Sequence, residues 1–201
     1  MRFAPIFIVL LLLACTMLAP EGVTACACCA EEGTRYDDTR RMEEFEASIL
    51  ENIKLAPRAE LYMTEAGEDV NGKGIAADMS YPWVYTISLL PKDKQWELTF
   101  KNRRGQTGKL TLMLSDNLNV YKVDMRERKR SAASAMLYKE WRLKGEVKGT
   151  GIFQRGLAPG GTFRLVLQGR GNSCDDASDF NHWVLQVTGP EADYSFYGNV
   201  K

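Results

Sequence analysis

Gln95-Trp96-Glu97-Leu98-Thr99-Phe100-Lys101 places an apolar side chain at every second position, the period of a strand with one buried face and one wet face. The same period extends outward in both directions. On the N-terminal side it takes in Ala59, Leu61 and Met63, then Trp83, Tyr85, Ile87 and Leu89. On the C-terminal side it runs through Leu110, Leu112 and Leu114, then Tyr121, Val123 and Met125, then Trp141 and Leu143. Phe163, Leu165 and Leu167 follow, then Trp183, Leu185 and Val187, and finally Tyr194 and Phe196. The pattern predicts about nine half-buried strands.

Short turn signals separate these runs: Pro91-Lys92-Asp93-Lys94, Arg104-Gly105-Gln106-Thr107-Gly108, Ser115-Asp116-Asn117, Ala158-Pro159-Gly160-Gly161 and Gly189-Pro190. Such connections join antiparallel neighbours, and no helical pattern intervenes to carry a parallel crossover. The fold class expected is mainly β: an antiparallel meander closed as a β-barrel or folded as a β-sandwich, with one amphipathic helix before it. Two loops exceed what a hairpin needs. They span 67–80, with Asn71-Gly72-Lys73-Gly74, and 126–135. Long loops on a rigid sheet are common places for binding residues.

Ahead of the strands the period changes. Met42, Phe45, Ile49 and Ile53 recur at helical spacing within Asp37–Lys54, which predicts one amphipathic helix with Asp37 or Asp38 as N-cap and Pro57 barring extension. The helix is expected to lie across one end of the sheet as cover for the core.

The first 25 residues read as a signal peptide. Arg2 precedes an apolar run from Ile6 to Leu18, too short to span a bilayer, and Val23 and Ala25 supply small side chains for cleavage before Cys26. Leu12-Leu13-Ala14-Cys15 offers an alternative, a lipoprotein-like box that would leave the chain membrane-anchored through Cys15. The organisation expected is therefore a leader over 1–25, a cysteine cluster and helix over 26–56, and an antiparallel β domain over 57–201 that forms one globular unit with the helix. No transmembrane segment follows the leader, and the destination expected is secreted or periplasmic.

Composition narrows the function classes. With 26 basic and 26 acidic residues and one His, the chain lacks the electrostatic footprint of a nucleic-acid binder. The basic cluster Arg126, Arg128, Lys129 and Arg130 is diluted by Asp124 and Glu127 and reads as a solvated loop.

Cys26-Ala27-Cys28-Cys29 and the distant Cys174 are the four cysteines left after the leader, and in an exported chain they imply disulfides. Pairing Cys26 with Cys174 leaves a strained vicinal Cys28–Cys29 ring, and pairing Cys29 with Cys174 leaves a tight Cys26–Cys28 ring. Cys28–Cys174 with Cys26–Cys29 is the least strained of the three. Either way the long link closes a loop of about 145 residues. A second reading gives Cys26, Cys28, Cys29 and Cys174, with His182, to Cu or Zn, since thiolates suit soft cations; the first reading needs no cofactor.

Gly169 to Trp183 is the densest polar run in the chain. Asn172, Asp175, Asp176 and Asp179 are candidate binding residues there, although their spacing lacks the alternation and closing Glu of a calcium loop. Cys174 or Ser173 beside His182 offers a hydrolase-like nucleophilic pair, without a supporting second constellation. The alternative is a capped turn in which Asp and Asn side chains satisfy the backbone, leaving His182 outward and Trp183 inward.

Taken together, the residues point to a non-catalytic, disulfide-stapled binding or interaction module. Its partner would be a small apolar ligand, if some of Trp83, Trp96, Trp141 and Trp183 line a cavity, or an envelope protein.

Overall fold

The computed structural model describes residues 35–62, 72–77, 84–92, 94–124, 137–171 and 175–201. Its strands are β1 Arg35–Arg41, β2 Leu55–Leu61, β3 Gly72–Lys73, β4 Val84–Lys92, β5 Gln95–Lys101, β6 Thr107–Leu114, β7 Asn117–Val123, β8 Leu137–Gly151, β9 Gly161–Gly171, β10 Phe180–Thr188 and β11 Asp193–Val200. One helix, α1, covers Glu44–Asn52, and a 3-10 turn covers Ala177–Asp179.

Eight of the strands close on themselves. Following the pairings, β2, β4, β5, β6, β8, β9, β10 and β11 succeed one another around a ring, every neighbour antiparallel, and β11 returns to β2. This is an up-and-down barrel, which removes exposed sheet edges by closure. Of barrel and sandwich, the chain forms the barrel. The remaining three strands are additions: β3 pairs with β11, and β7 and β1 extend the sheet outward from β8.

Strand β8, at fifteen residues, carries that extension. Its second half, from Gly145 to Gly151, pairs with β6, while Tyr138 to Arg142 pairs with β7. The Ser115-Asp116-Asn117 signal is thus not a hairpin. It is an offset that carries the chain on along the same neighbour, with the Ser115 amide donating to the Lys144 carbonyl at 3.2 Å.

The barrel interior is filled by side chains. Trp96, Trp141, Trp183, Tyr194, Phe100, Phe153 and Phe196 are all below 2 % exposed, and Phe196 meets the rings of Phe100, Tyr85, Tyr194 and Phe153 at centroid distances of 4.6, 5.3, 5.6 and 6.0 Å. These distances and tilts are the edge-to-face and offset contacts that aromatic quadrupoles favour. Burial also pushes the Tyr194 phenol pKa up, so the group stays neutral.

Both mouths are covered. At one, α1 sets Ile49 and Leu50, followed by Ile53, into the core. At the other, Ile152, Phe153 and Leu157 of the β8–β9 loop fold inward with Ile75 and Ala192. Gly149 makes that inward fold possible, since a Cβ there would lie 2.8 Å from the Phe153 carbonyl oxygen and from the Leu157 side chain.

Four expectations change. The helix begins at Glu44, with Glu43 as N-cap, and Asp37 and Asp38 lie in β1. Residues 35–41 pair residue for residue with β7, and that ladder outweighs local helix propensity. Phe45 is 61 % exposed, and the inward stripe is Glu46, Ile49, Leu50 and Ile53. Glu46 is tolerated there because it accepts the Glu43 amide at 2.7 Å and pairs with the Arg40 guanidinium. In β7 the inward residues are Leu118 and Val120, while Tyr121 and Val123 take the outer face. The strand carries apolar side chains at both parities, so alternation alone does not select a face. The strands number eleven because β1 and β3 have no alternating apolar signature. Met63, Trp83 and Met125, and the 126–135 loop, lie outside the described residues, as do 67–71 and 78–80 of the 67–80 loop.

Replacing Phe153 with Ala should lower stability by about 3–5 kcal/mol, because the ring plugs a mouth that cannot collapse around the loss. Denaturant unfolding measures this, and an unchanged midpoint would show that the loop is not part of the core.

Candidate functional site

The polar run after β9 folds as a turn tied to the barrel wall by charge. Asp179 accepts the Lys139 ammonium at 2.6 Å, Asp175 lies 3.2 Å from the same ammonium, and Asp175 also takes Lys122 at 2.8 Å. Lys139 is fully buried, on the inward parity of Leu137, Trp141 and Leu143. A buried ammonium needs carboxylates around it, and these two supply them. Asp176 caps the 3-10 turn, accepting the Ser178 amide at 2.8 Å and the Ser178 hydroxyl at 2.7 Å; these bonds hold its carboxyl pKa below the ordinary value. Asp175 and Asp179 are thus committed to lysines, and Asp176 to its own turn.

His182 faces outward, its Nδ1 2.9 Å from the Asn199 side-chain oxygen, and Trp183 is fully buried beside it. Asn172, Ser173 and Cys174 lie outside the described residues, as do Cys15, Cys26, Cys28 and Cys29. Among the described residues no three His, Asp or Glu side chains converge as a metal site, and no helix is long and apolar enough to cross a membrane.

A second polar constellation sits on the outer face, where β1 and β7 extend the sheet. The pairings set Thr39, Asn119, Arg142, Val166, Val184 and Tyr197 side by side across β1, β7, β8, β9, β10 and β11. One row away stand Glu140, Gln168 and His182. The other flank carries Lys144, Arg164 and Gln186. The Lys144 flank, with Thr39, Asn119 and Arg142, lines a cleft of about 880 Å³ bordered by Ser115 and Asn117 on one side and Gln186 and Thr188 on the other; beside it Glu140, Val166, Gln168 and Val184 line a smaller depression of about 250 Å³ that shares Arg164 and Gln186 with the cleft.

Its upper half is a connected network. The Asn119 amide donates to Asp37 at 2.7 Å and to the Thr39 hydroxyl at 2.9 Å. Arg142 donates to Glu140 at 2.6 Å and stacks its guanidinium 4.7 Å from the Tyr121 ring centroid, an arrangement that holds a planar cation by charge and quadrupole together. Glu140 also accepts Tyr138 at 2.5 Å and Gln168 at 3.2 Å. Burial opposes ionisation of Glu140, but the bonds from Tyr138, Arg142 and Gln168 outweigh it and hold its pKa below the ordinary value. Burial, then the bond to Glu140, pushes the Tyr138 phenol up to about 12.

Such a network can orient a partner's polar groups without rearranging. No family model matches the chain, and no curated protein or solved structure matches it either.

Sequence reasoning did not single out Lys139, Glu140, Arg142 or Asn119. Lys139 had a legible signal, a charge at an inward position between Leu137 and Trp141. The other three are ordinary outer-face polar residues, and only the β7–β8 register brings them together.

Two outcomes are expected. Lys139→Met should destabilise by about 3–5 kcal/mol, because it strands buried carboxylates; equal denaturant midpoints would show that the cluster is solvated. Glu140→Gln should also destabilise near neutral pH. Because the folded pKa of Glu140 is depressed, its contribution is present above the unfolded carboxyl value and is lost as pH falls through the folded one. The gap between wild type and Glu140→Gln should therefore close on acidification, and a gap independent of pH would refute the assignment.

Proposed function

We propose that this chain is a secreted or periplasmic binding module, non-catalytic, held by disulfides and engaging its partner on the outer cleft of β7–β10. The observation carrying this reading is the Glu140–Arg142–Asn119 network, preorganised on the outside of a barrel whose axis is occupied by aromatic side chains. Pockets for specific recognition need a few fixed polar groups around an apolar floor; here Val166 and Val184 supply apolar surface in the depression that adjoins the cleft, edged by Glu140 and Gln168.

Export rests on the leader and on cysteine usage. Cleavage after Ala25 would leave Cys26 as the first mature residue, and in that compartment Cys28–Cys174 with Cys26–Cys29 is the pairing we favour. The partner is a small ligand or an envelope protein, and binding needs no metal.

A thermal-shift screen of small polar ligands, apolar ligands and divalent metals tests the reading. A ligand at about a hundred times its Kd adds about 2.7 kcal/mol to stability, and Arg142→Ala should abolish the shift of a true cleft ligand. Stabilisation by Cu or Zn that survives Arg142→Ala and disappears on thiol blocking would replace this reading with the metal site of Cys26, Cys28, Cys29, Cys174 and His182. Intact mass spectrometry on the unreduced mature protein provides the second check: no free thiol is expected. A free Cys174 would instead revive the nucleophile beside His182, and a lipidated Cys15 would place the protein on a membrane.

A further inference from the structure

Lys144 on β8 and Arg164 on β9 are direct cross-strand partners, both exposed, at the end of the cleft beyond the Arg142 network. Like charges directly opposite on one face repel. Other cations of the sheet have acceptors: Arg142 has Glu140 and Asp37, Lys109 has Glu97, and Lys94 has Asp116. Lys144 and Arg164 have none among the described residues. Glu146, two residues along β8 on the same face, makes no ion pair with either cation.

The cleft around the pair offers hydrogen bonds and one carboxylate, that of Glu146, which is paired with neither cation. Gln186 stands opposite Arg164 on β10, Thr162 and Thr188 form the next row, and Ser115 lies across the offset between β6 and β7. At that offset the ladder on one side of β8 is interrupted between Arg142 and Gly145. Interruptions of this kind re-aim side chains and cluster near functional sites.

Building on the cleft as the binding face, we infer that Lys144 and Arg164 form an oxyanion site, taking the carboxylate or phosphate of a small polar ligand whose body lies over Val166 and Val184. The Arg164 guanidinium presents two parallel N–H donors to such a group. Lys144 supplies a point charge from the facing strand, and the Gln186 amide supplies a third donor. The anion removes the repulsion between the two cations, so binding and stability are linked.

The test titrates isotope-labelled mature protein with inorganic phosphate in one arm and succinate in the other, in a buffer free of other oxyanions, following amide shifts by NMR. Saturable shifts confined to β8, β9 and β10 around Lys144, Arg164 and Gln186 are expected. Affinity should fall about tenfold in Arg164→Gln and again in Lys144→Gln, as for loss of a charge-assisted contact. The arm that saturates at lower concentration identifies the headgroup class.

Stability gives a second readout. Without an oxyanion, Arg164→Gln should unfold at a higher denaturant midpoint than wild type, since one of two opposed cations is gone. Added phosphate or succinate should raise the wild-type midpoint and leave that of Arg164→Gln unchanged. Non-saturable shifts spread over all exposed lysines, or equal affinities in wild type and variants, overturn the site. So does a screen ligand that depends on Arg142 but not on Arg164, an outcome that leaves the cleft reading standing.

Discussion

Closure of the ring by β2 and β11 is the constraint on which the rest depends. Once the first and last barrel strands pair, every ring strand has two neighbours, and inward side chains must fill whatever volume the ring encloses. Here the inward positions hold Trp96, Trp141, Trp183, Phe100 and Phe196, large rings whose mutual contacts occupy the axis. The mouths then need covers, and α1, just ahead of the first ring strand, and the Ile152–Leu157 segment, between β8 and β9, provide them.

A filled barrel changes where recognition can occur. Trp96, Trp141 and Trp183 are buried members of the core cluster, and the fixed polar groups of the described residues gather on the outer face. An outer face of a closed barrel is convex unless something extends it, and β1 and β7 do so. β7 pairs along the first half of β8 and β1 along β7, and Thr39, Asn119 and Arg142 of the shared row line the cleft beside Lys144 and Arg164. The offset at Ser115–Asp116 is therefore the local event that separates barrel from cleft.

How much of this was legible in the sequence follows from which rule governed each residue. Alternation fixes a face wherever only one parity is apolar, and the inward sets in β5, β6, β8, β9, β10 and β11 follow it residue by residue. It has no purchase where both parities are apolar, as in β7. It is also silent where neither is, as in Arg35–Arg41, a strand created by its partner. The Asp-rich turn was visible as a polar run, but its lysine partners lie tens of residues away. Lys139 betrays itself only to a reader who asks why a cation occupies an inward position. Asn119, Glu140 and Arg142 have no local signal, because their meaning lies in a register that no short window contains.

The two charge clusters on β8 illustrate opposite uses of the same strand. Lys139 points inward, where low dielectric makes an unpaired ammonium costly, and it is ringed by Asp175 and Asp179 at 3.2 and 2.6 Å. Water screens the outward residues, so an unpaired cation there costs little and a neutralising partner can be left to come from outside. Lys144 with Arg164 fits that second case, and Arg142, already committed to Glu140, does not. Lys139 holds the barrel to its loop, and on the outer face Lys144, unlike Arg142, is left to be answered by a ligand. The dielectric boundary that the barrel wall creates is what separates the two roles over five residues of one strand.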